Sequence, residues 1–260
     1  RDSGARLVHS CGFDSVPPDL GTLFTVTQLP EGVPIRVRGY VTVHGRPSGG
    51  TLDSALTAFG RLRPAAAARA ERARVEPRPT ARRVRIVPGR PGYDRAAGGW
   101  VLPLPTIDPQ VVARSARALD RYGPDFSYSH FAAGRNPLAG AGLAVGAVGT
   151  LALAQLPGSG RLLGRLRPSG TGPSEEQRAA AWFRVRFVGE GAGRRVVTEV
   201  AGGDPGYTES ATMLAESALC LAGDELAAFA GQLTPAVAMG DALRLRLERA
   251  GISFRVLEAT

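Results

Sequence analysis

The stretch "WFRVRFVGEGAGRRVVTEVAG", Trp182–Gly202, decides the fold class. Phe183, Val185 and Phe187 share one face of an extended segment, Glu190 to Gly193 form a turn, and a β-branched run follows. Extended runs on either side of a Gly-containing turn make a hairpin, which is an antiparallel pair. Toward the N-terminus, "IRVRGYVTVH" (35–44) alternates cleanly, with Ile35, Val37, Val41 and Val43 on one face and Arg36, Arg38, Tyr40 and Thr42 on the other. That is a half-buried strand. Toward the C-terminus, "ISFRVLE" (252–258) reads as a last strand. Helical patterns cover 17–29, where Pro17 and Pro18 sit in the tolerant first turn, and 109–121. "GDPGYTES" opens another helix on which Leu214, Ala218 and Leu221 share a face, and "DALRLRLERAG" is closed by Gly251. No internal repeat is present. The expected class is α+β (mixed α/β), a mixed and partly antiparallel sheet with flanking helices.

The chain has 260 residues, 43% of them apolar, enough for a sizeable core. The formal net charge is +9, and every basic residue is arginine. The excess is local: 61–95 holds eleven arginines against Glu71, Glu76 and Asp94, and the rest is nearly neutral. With no zinc-finger spacing and no aromatic single-strand platform, a nucleic-acid partner is not expected. The Arg-rich segment reads as helix plus loop with a strong local field, in its plain reading a solvated surface. Cys11 and Cys220 form no CxxC and no ligand cluster with His9, His44 or His130, so no metal site is expected and a reducing compartment fits. The first residues show no signal-peptide pattern.

Segment 137–156 carries no charge over twenty residues but is mostly Ala and Gly. Its readings are a buried or hinge-like helix and a shallow membrane-surface element, with Arg161, Arg165 and Arg167 placed for anionic headgroups. Gly140, Gly142 and Gly146, and again Gly158, Gly160 and Gly164, fit a GxGxxxG variant. Neither set has the preceding strand that a dinucleotide loop requires.

The site candidates begin at "CGFDSVPPDLG", Cys11–Gly21, where a short apolar strand (5–11) enters the first helix. Such a junction points backbone N–H groups and a positive dipole end at residues 14–18. Gly12 lets a ligand approach the backbone beside Phe13. Asp14 and Ser15 either hold a ligand or close the β–α turn as N-caps, and Asp19 either caps the helix or orients Ser15. Gly49, Gly50 and Thr51 precede a further helix and form either a carbonyl or anion subsite or a plain capped turn. Asp204 and Tyr207 are an acid and a proton donor in one reading, and turn chemistry with Thr208 as N-cap in the other.

"CGFDSVPPDLG", together with "VVTEVAGGDPGYTESATMLAESALCLA", "LTPAVAMGDAL" and "GISFRVLE", resembles the saccharopine dehydrogenase-like oxidoreductases, closest to their trans-acting enoyl reductase branch. The resemblance is strongest at 4–21 and 196–258 and weak between 61 and 135. Pro18 replaces a small polar residue expected there. The resemblance implies hydride transfer from NADP or NAD to a double bond of a lipid or carrier-tethered polyketide intermediate in glycolipid synthesis. It favours Gly12, Phe13, Asp14, Ser15 and Asp19 as the cofactor side, while Gly49, Gly50 and Thr51 as a substrate subsite and Tyr207 and Asp204 in catalysis rest on their place in the sequence. It further implies a nucleotide held mainly by a Rossmann domain that would precede Arg1; a homodimer is expected, a cytoplasmic location follows from the two unpaired cysteines, and peripheral contact to an anionic membrane follows from segment 137–156 and its arginines. Residues 1–30 would then close that domain, and 31–260 would be the substrate and catalytic domain. The alternatives are an inactive membrane-associated module and an amino-acid dehydrogenase of the saccharopine type.

Overall fold

The structure, a computed structural model, describes residues 3–45, 82–104, 106–136 and 172–260, with four isolated positions between 67 and 74. The expected elements at 49–51, 61–81 and 137–167 lie outside the described residues, the four isolated positions apart.

Strand β2 (Ile35–His44) occupies the middle of the main sheet. On one side it pairs antiparallel with β7 (Trp182–Gly191), Ile35 opposite Gly191 and His44 opposite Trp182. On the other it pairs parallel with β6 (Asp125–Gly134), Ile35 opposite Phe126. The hairpin continues from β7 into β8 (Arg194–Gly202), and β10 (Ser253–Ala259) closes that end of the sheet. The far edge of β6 is shared. β3 (Arg83–Ile86) runs parallel to its first half, and β5 (Gly99–Pro103) antiparallel to its second, with β4 (Gly92–Asp94) outside β5. The sheet is mixed, as the alternating runs require. Two strands, β3 and β4, stand where the Arg-rich segment reads as helix plus loop. A strand of alternating arginine and apolar residues is masked by the surrounding charge.

Helix α1 (Val16–Thr27) lies across the hairpin side of the sheet and is buried along most of its length. Its Val16, Leu20 and Val26 join Ile35, Val37, Phe126, Phe187 and Val200 in one apolar core, so the residues at either side of position 30 share that core. Gly21 sets the approach. A Cβ there would stand 2.6 Å from Phe187 Cζ and 2.9 Å from Val200 Cγ2. Helix α2 (Asp108–Ala118) packs beside α1. Short α3 (Glu175–Ala179) carries a capping box from Ser174 and Gln177. Helix α4 (Thr208–Gly223) buries Met213, Ser217 and Cys220. Of the expected face, Leu214, 60% exposed, and Ala218 turn outward, and Leu221 alone still packs against the core. Spacing at i, i+4 and i+7 fits both rows, and the leucine content favoured the wrong one.

Two short helices, α5 (Pro235–Ala238) and α6 (Gly240–Arg249), complete that layer. Strand β1 (Arg6–Val8) stands apart from the main sheet, paired parallel with β9 (Gly231–Leu233). It is not the buried strand that its apolar sequence suggests, since Leu7 is 54% exposed. On the opposite face of the main sheet, Tyr40 stacks on Phe131 at 5.5 Å and packs with Val101, Val188 and Val197. The Tyr40 hydroxyl donates to Asp94 (2.7 Å), and Arg38 reaches both Asp94 and Glu190.

Gly21→Ala is the sharpest test of this packing. In an open helix the change stabilises by about 1 kcal/mol. Here the new methyl meets the Phe187 ring, so a net loss of about 1–3 kcal/mol is expected, read as a lower urea midpoint at unchanged slope. A raised midpoint would mean that α1 does not rest on that ring.

Candidate functional site

The loop Gly12–Ser15 leads into α1 and is built by its own carbonyl chemistry. The N–H groups of Ser15 (3.2 Å) and Val16 (2.9 Å) both donate to the Gly12 carbonyl. The N–H of Phe13 donates to Ser210 Oγ on the first turn of α4 at 3.2 Å, and the Phe13 ring meets Phe183 at 4.9 Å. Ser210 in turn donates to the Pro205 carbonyl (2.7 Å). The two sequence blocks around residues 12 and 205 thus meet at one mouth. Gly12 is not sterically obliged to be glycine, because a Cβ would stay 3.6 Å from Ser210 Oγ.

Of the expected cradle of free N–H groups at 14–18, only that of Asp14 is left. Ser15 and Val16 have spent theirs, and Pro17 and Pro18 have none. A dinucleotide pyrophosphate needs such groups at a glycine-rich turn. The residues around Gly12 therefore do not fit the phosphates. They offer a ligand the exposed Asp14 carboxylate instead. Its neighbourhood partly strips it of water, and the nearby Asp108 charge adds to that effect, so both push the Asp14 carboxyl up.

Behind the loop lies a buried polar array. Ser15 is fully buried and makes no capping bond; its hydroxyl donates to Asp108 Oδ1 at 3.5 Å. Asp108, at the start of α2, accepts from Thr106 Oγ1 (2.6 Å) through its other oxygen. That same Oδ2 lies 3.2 Å from His130 Nε2 on β6, close but out of line for a hydrogen bond, so Nε2 has no hydrogen-bond partner. His130 Nδ1 is 2.9 Å from the Tyr128 hydroxyl. Burial first, then the Asp108 charge, lifts the Tyr128 phenol far above its usual range. Phe126, Tyr128 and His130 alternate on one face of β6. Gly39 on the adjoining β2 leaves room for them, since a Cβ there would stand 2.5 Å from the Tyr128 oxygen and 3.4 Å from His130 Nδ1.

Asp19 neither caps α1 nor orients Ser15. Its Oδ1 is 2.5 Å from Ser115 Oγ of α2, and its Oδ2 accepts from the Ala236 N–H of α5 at 2.8 Å. Ser115 Oγ also lies 2.6 Å from Thr234 Oγ1. Burial pushes the Asp19 carboxyl up to about 7, against the opposing pull of these hydrogen bonds.

The Asp204 carboxylate accepts from the N–H groups of Gly206 (3.2 Å), Tyr207 (3.0 Å) and Thr208 (3.1 Å). It closes the start of α4, the part expected of Thr208, and is 7% exposed. Tyr207 is partly open at 38%. Gly49, Gly50 and Thr51 lie outside the described residues. Asp108, His130, Tyr128 and Ser210 escaped the sequence reading. The alternation in "DFSYSHF" could have placed His130 and Tyr128 on one inner face, but nothing local pairs them with Asp108. An open cleft of about 410 Å³, lined in part by Leu23, Leu226, Phe229 and Met239, is not lined by Asp14, Asp108 or His130 and meets the Asp19 junction only at Ala236. Among the described residues there is no cluster able to hold a metal ion, and no helix is long and apolar enough to cross a membrane.

A protein named as a trans-acting enoyl reductase in Mycobacterium tuberculosis is 33% identical over 98% of this chain and 68% of its own length. A trans-acting enoyl reductase of Mycobacterium ulcerans is 30% identical over 96% of the chain and 67% of its own. A mitochondrial saccharopine dehydrogenase-like oxidoreductase of Arabidopsis thaliana is 26% identical over 98% of the chain and 67% of its own. The chain thus spans about two thirds of the length of these relatives. No family model and no solved structure matches it.

The Asp19 carboxyl makes a prediction about stability. A group whose folded pKa is raised to about 7 from an ordinary value of 3.8 stabilises fully below pH 4. The folded state keeps the proton that the unfolded chain releases, so this contribution is lost as pH rises toward 7. Asp19→Asn keeps an acceptor for Ala236 and a donor toward Ser115 without the titration. Compared by denaturant melts at pH 4 and pH 7, the wild type should lose a few kcal/mol more than the variant across that interval. Parallel curves would mean that Asp19 is ionised in the fold.

Proposed function

The chain belongs to the trans-acting enoyl reductases of the saccharopine dehydrogenase-like oxidoreductases, and from that premise we propose that it supplies the acyl-facing part of a nicotinamide-dependent reduction of a conjugated double bond. The substrate class is a lipid or polyketide intermediate presented as an enoyl thioester, as in glycolipid synthesis. When bound, the reduced nicotinamide of NADP or NAD supplies a hydride. Because the residues around Gly12 do not fit its phosphates, the nucleotide would be held mainly by residues outside the described ones.

One observation carries the reading. The loop Gly12–Ser15 is fixed to α4 through Ser210 and sits over a buried carboxylate and imidazole. Reduction of an enoyl group needs a positioned acyl chain, a hydride and a proton. Asp14 is an exposed polar group at this mouth, placed to orient a polar end of either reactant. Ser15, Asp108 and His130 lie behind it as fixed dipoles and a proton store. Such preorganised groups lower a barrier because they need no rearrangement as charge develops on the thioester oxygen.

The test is turnover of a 2-enoyl thioester by the complete protein. Oxidation of the reduced nicotinamide should accompany a product heavier by two hydrogens, and no oxidation with any enoyl thioester would end the proposal. Asp14→Asn should lower kcat/KM roughly tenfold, about 1.4 kcal/mol of lost transition-state stabilisation, with the melting temperature unchanged because the side chain is exposed. In a fluorescence titration, residues 1–260 alone should not bind NADPH at micromolar concentration. Micromolar binding would place a nucleotide loop within this chain.

A further inference from the structure

We propose that Asp108 and His130 hold one shared proton and pass it through the exposed Thr106 hydroxyl to the reacting acyl group, so that the pair is the proton store of this site. The kinetic half of the proposal rests on the enoyl-reductase reading above.

Three features of the geometry point to it. His130 is 5% exposed, and its Nε2 faces a carboxylate oxygen at 3.2 Å without an aligned hydrogen bond and without any other hydrogen-bond partner. A proton placed on that atom would face the carboxylate with no hydrogen bond to fix its direction. Asp108 is gripped loosely on one side and firmly on the other, with Ser15 at 3.5 Å on Oδ1 and Thr106 at 2.6 Å on Oδ2. Thr106 is the member of this array open to solvent. A line of close polar atoms therefore runs from the buried Tyr128 hydroxyl through Nδ1, Nε2 and Oδ2 to a surface hydroxyl, hydrogen-bonded at both ends, with Nε2 and Oδ2 3.2 Å apart but not aligned at its centre. The sheet also has no side chain at this point, since a Cβ at position 39 would strike the Tyr128 hydroxyl that bonds His130. As a device for stability alone the arrangement is costly. A buried carboxylate and imidazole lose hydration that apolar side chains of the same size would not.

The balance closes. The hydride from the reduced nicotinamide forms a bond to the β-carbon and leaves an enolate. The α-carbon takes the Thr106 hydroxyl proton, Thr106 takes one from Asp108 Oδ2, and Asp108 takes the proton shared with His130 Nε2. The imidazole is left neutral, its remaining proton on Nδ1 directed at the Tyr128 oxygen. Water at Thr106 restores the shared proton by the same route. Asp108 and His130 act through Thr106 and are relay groups; Thr106 touches the substrate.

Two measurements decide it. Ring nitrogen resonances of His130 in the 260-residue chain at pH 7 should report protons on both nitrogens. Asp108→Asn should reduce this to one, while Thr106→Val should leave it at two. A single protonated nitrogen in the unaltered chain overturns the proposal, whatever the enzyme turns over. In the complete protein, Thr106→Val and His130→Gln should each lower kcat roughly a hundredfold with KM within about twofold, and each should change the solvent deuterium isotope effect on kcat. Loss that follows melting temperature alone, with the isotope effect of the unaltered protein, also overturns it. If the unaltered protein reduces no enoyl thioester but both His130 nitrogens carry protons that depend on Asp108, the reduction fails and the proton store stands.

Discussion

One carboxyl group, that of Asp19, ties three helices together. It sits in the buried first turn of α1, takes the Ser115 hydroxyl of α2 and the backbone of α5 at Ala236, and has no exposure. Nothing apolar could replace it, because the Ala236 N–H and the Ser115 and Thr234 hydroxyls would lose their shared partner inside the core. The position of α2 relative to α1 follows from this junction. Asp108 opens α2 and Ser15 precedes α1, so their approach across 93 residues of chain is a consequence of where Asp19 holds the two helices. A fixed site over a polar interior needs such a joint more than it needs a tight apolar seam.

The main lines of the sheet were legible because period two survives wherever one face is buried. Ile35–His44 and the hairpin from Trp182 to Gly202 have the bounds that their alternation suggests. The central parallel neighbour, Asp125–Gly134, carries the same alternation in Phe126, Tyr128 and His130, yet its two serines, its histidine and its tyrosine dilute the apolar signal. The strands Arg83–Ile86 and Gly92–Asp94 are harder still, since they owe their form to the exposed edge of β6 and β5 and not to their own composition. On α4 two rows had equal periodicity, and only the tertiary contact with α6 and the core selects Met213, Ser217 and Cys220.

The candidate site was legible in one dimension only. Gly12–Ser15 was found from its place before a helix, and its contact with the turn at 204–210 joins two stretches that read separately as turn chemistry. What local sequence cannot show is which backbone donors remain free. The N–H groups of Ser15 and Val16 fold back onto Gly12, and Asp204 consumes three donors at the start of α4. Both helix mouths are closed by their own loops. The reactive chemistry lies one layer deeper, between Asp108 and His130, residues that no motif links.

The parallel pair of β1 with β9 has a consequence in time. Arg6 lies opposite Gly231 and Val8 opposite Leu233, so the strand that begins the described chain finds its partner only near the other end. At ribosomal speeds of about 5–20 residues per second, the first strand waits on the order of ten to forty seconds. During that wait its apolar residues, Leu7 and Val8, have no ladder to join. α1, eight residues further on, depends on the hairpin strands β7 and β8, made well after it. The loop Gly12–Ser15, which lies between β1 and α1 and forms the mouth of the site, is therefore made well before the strands that hold both of them.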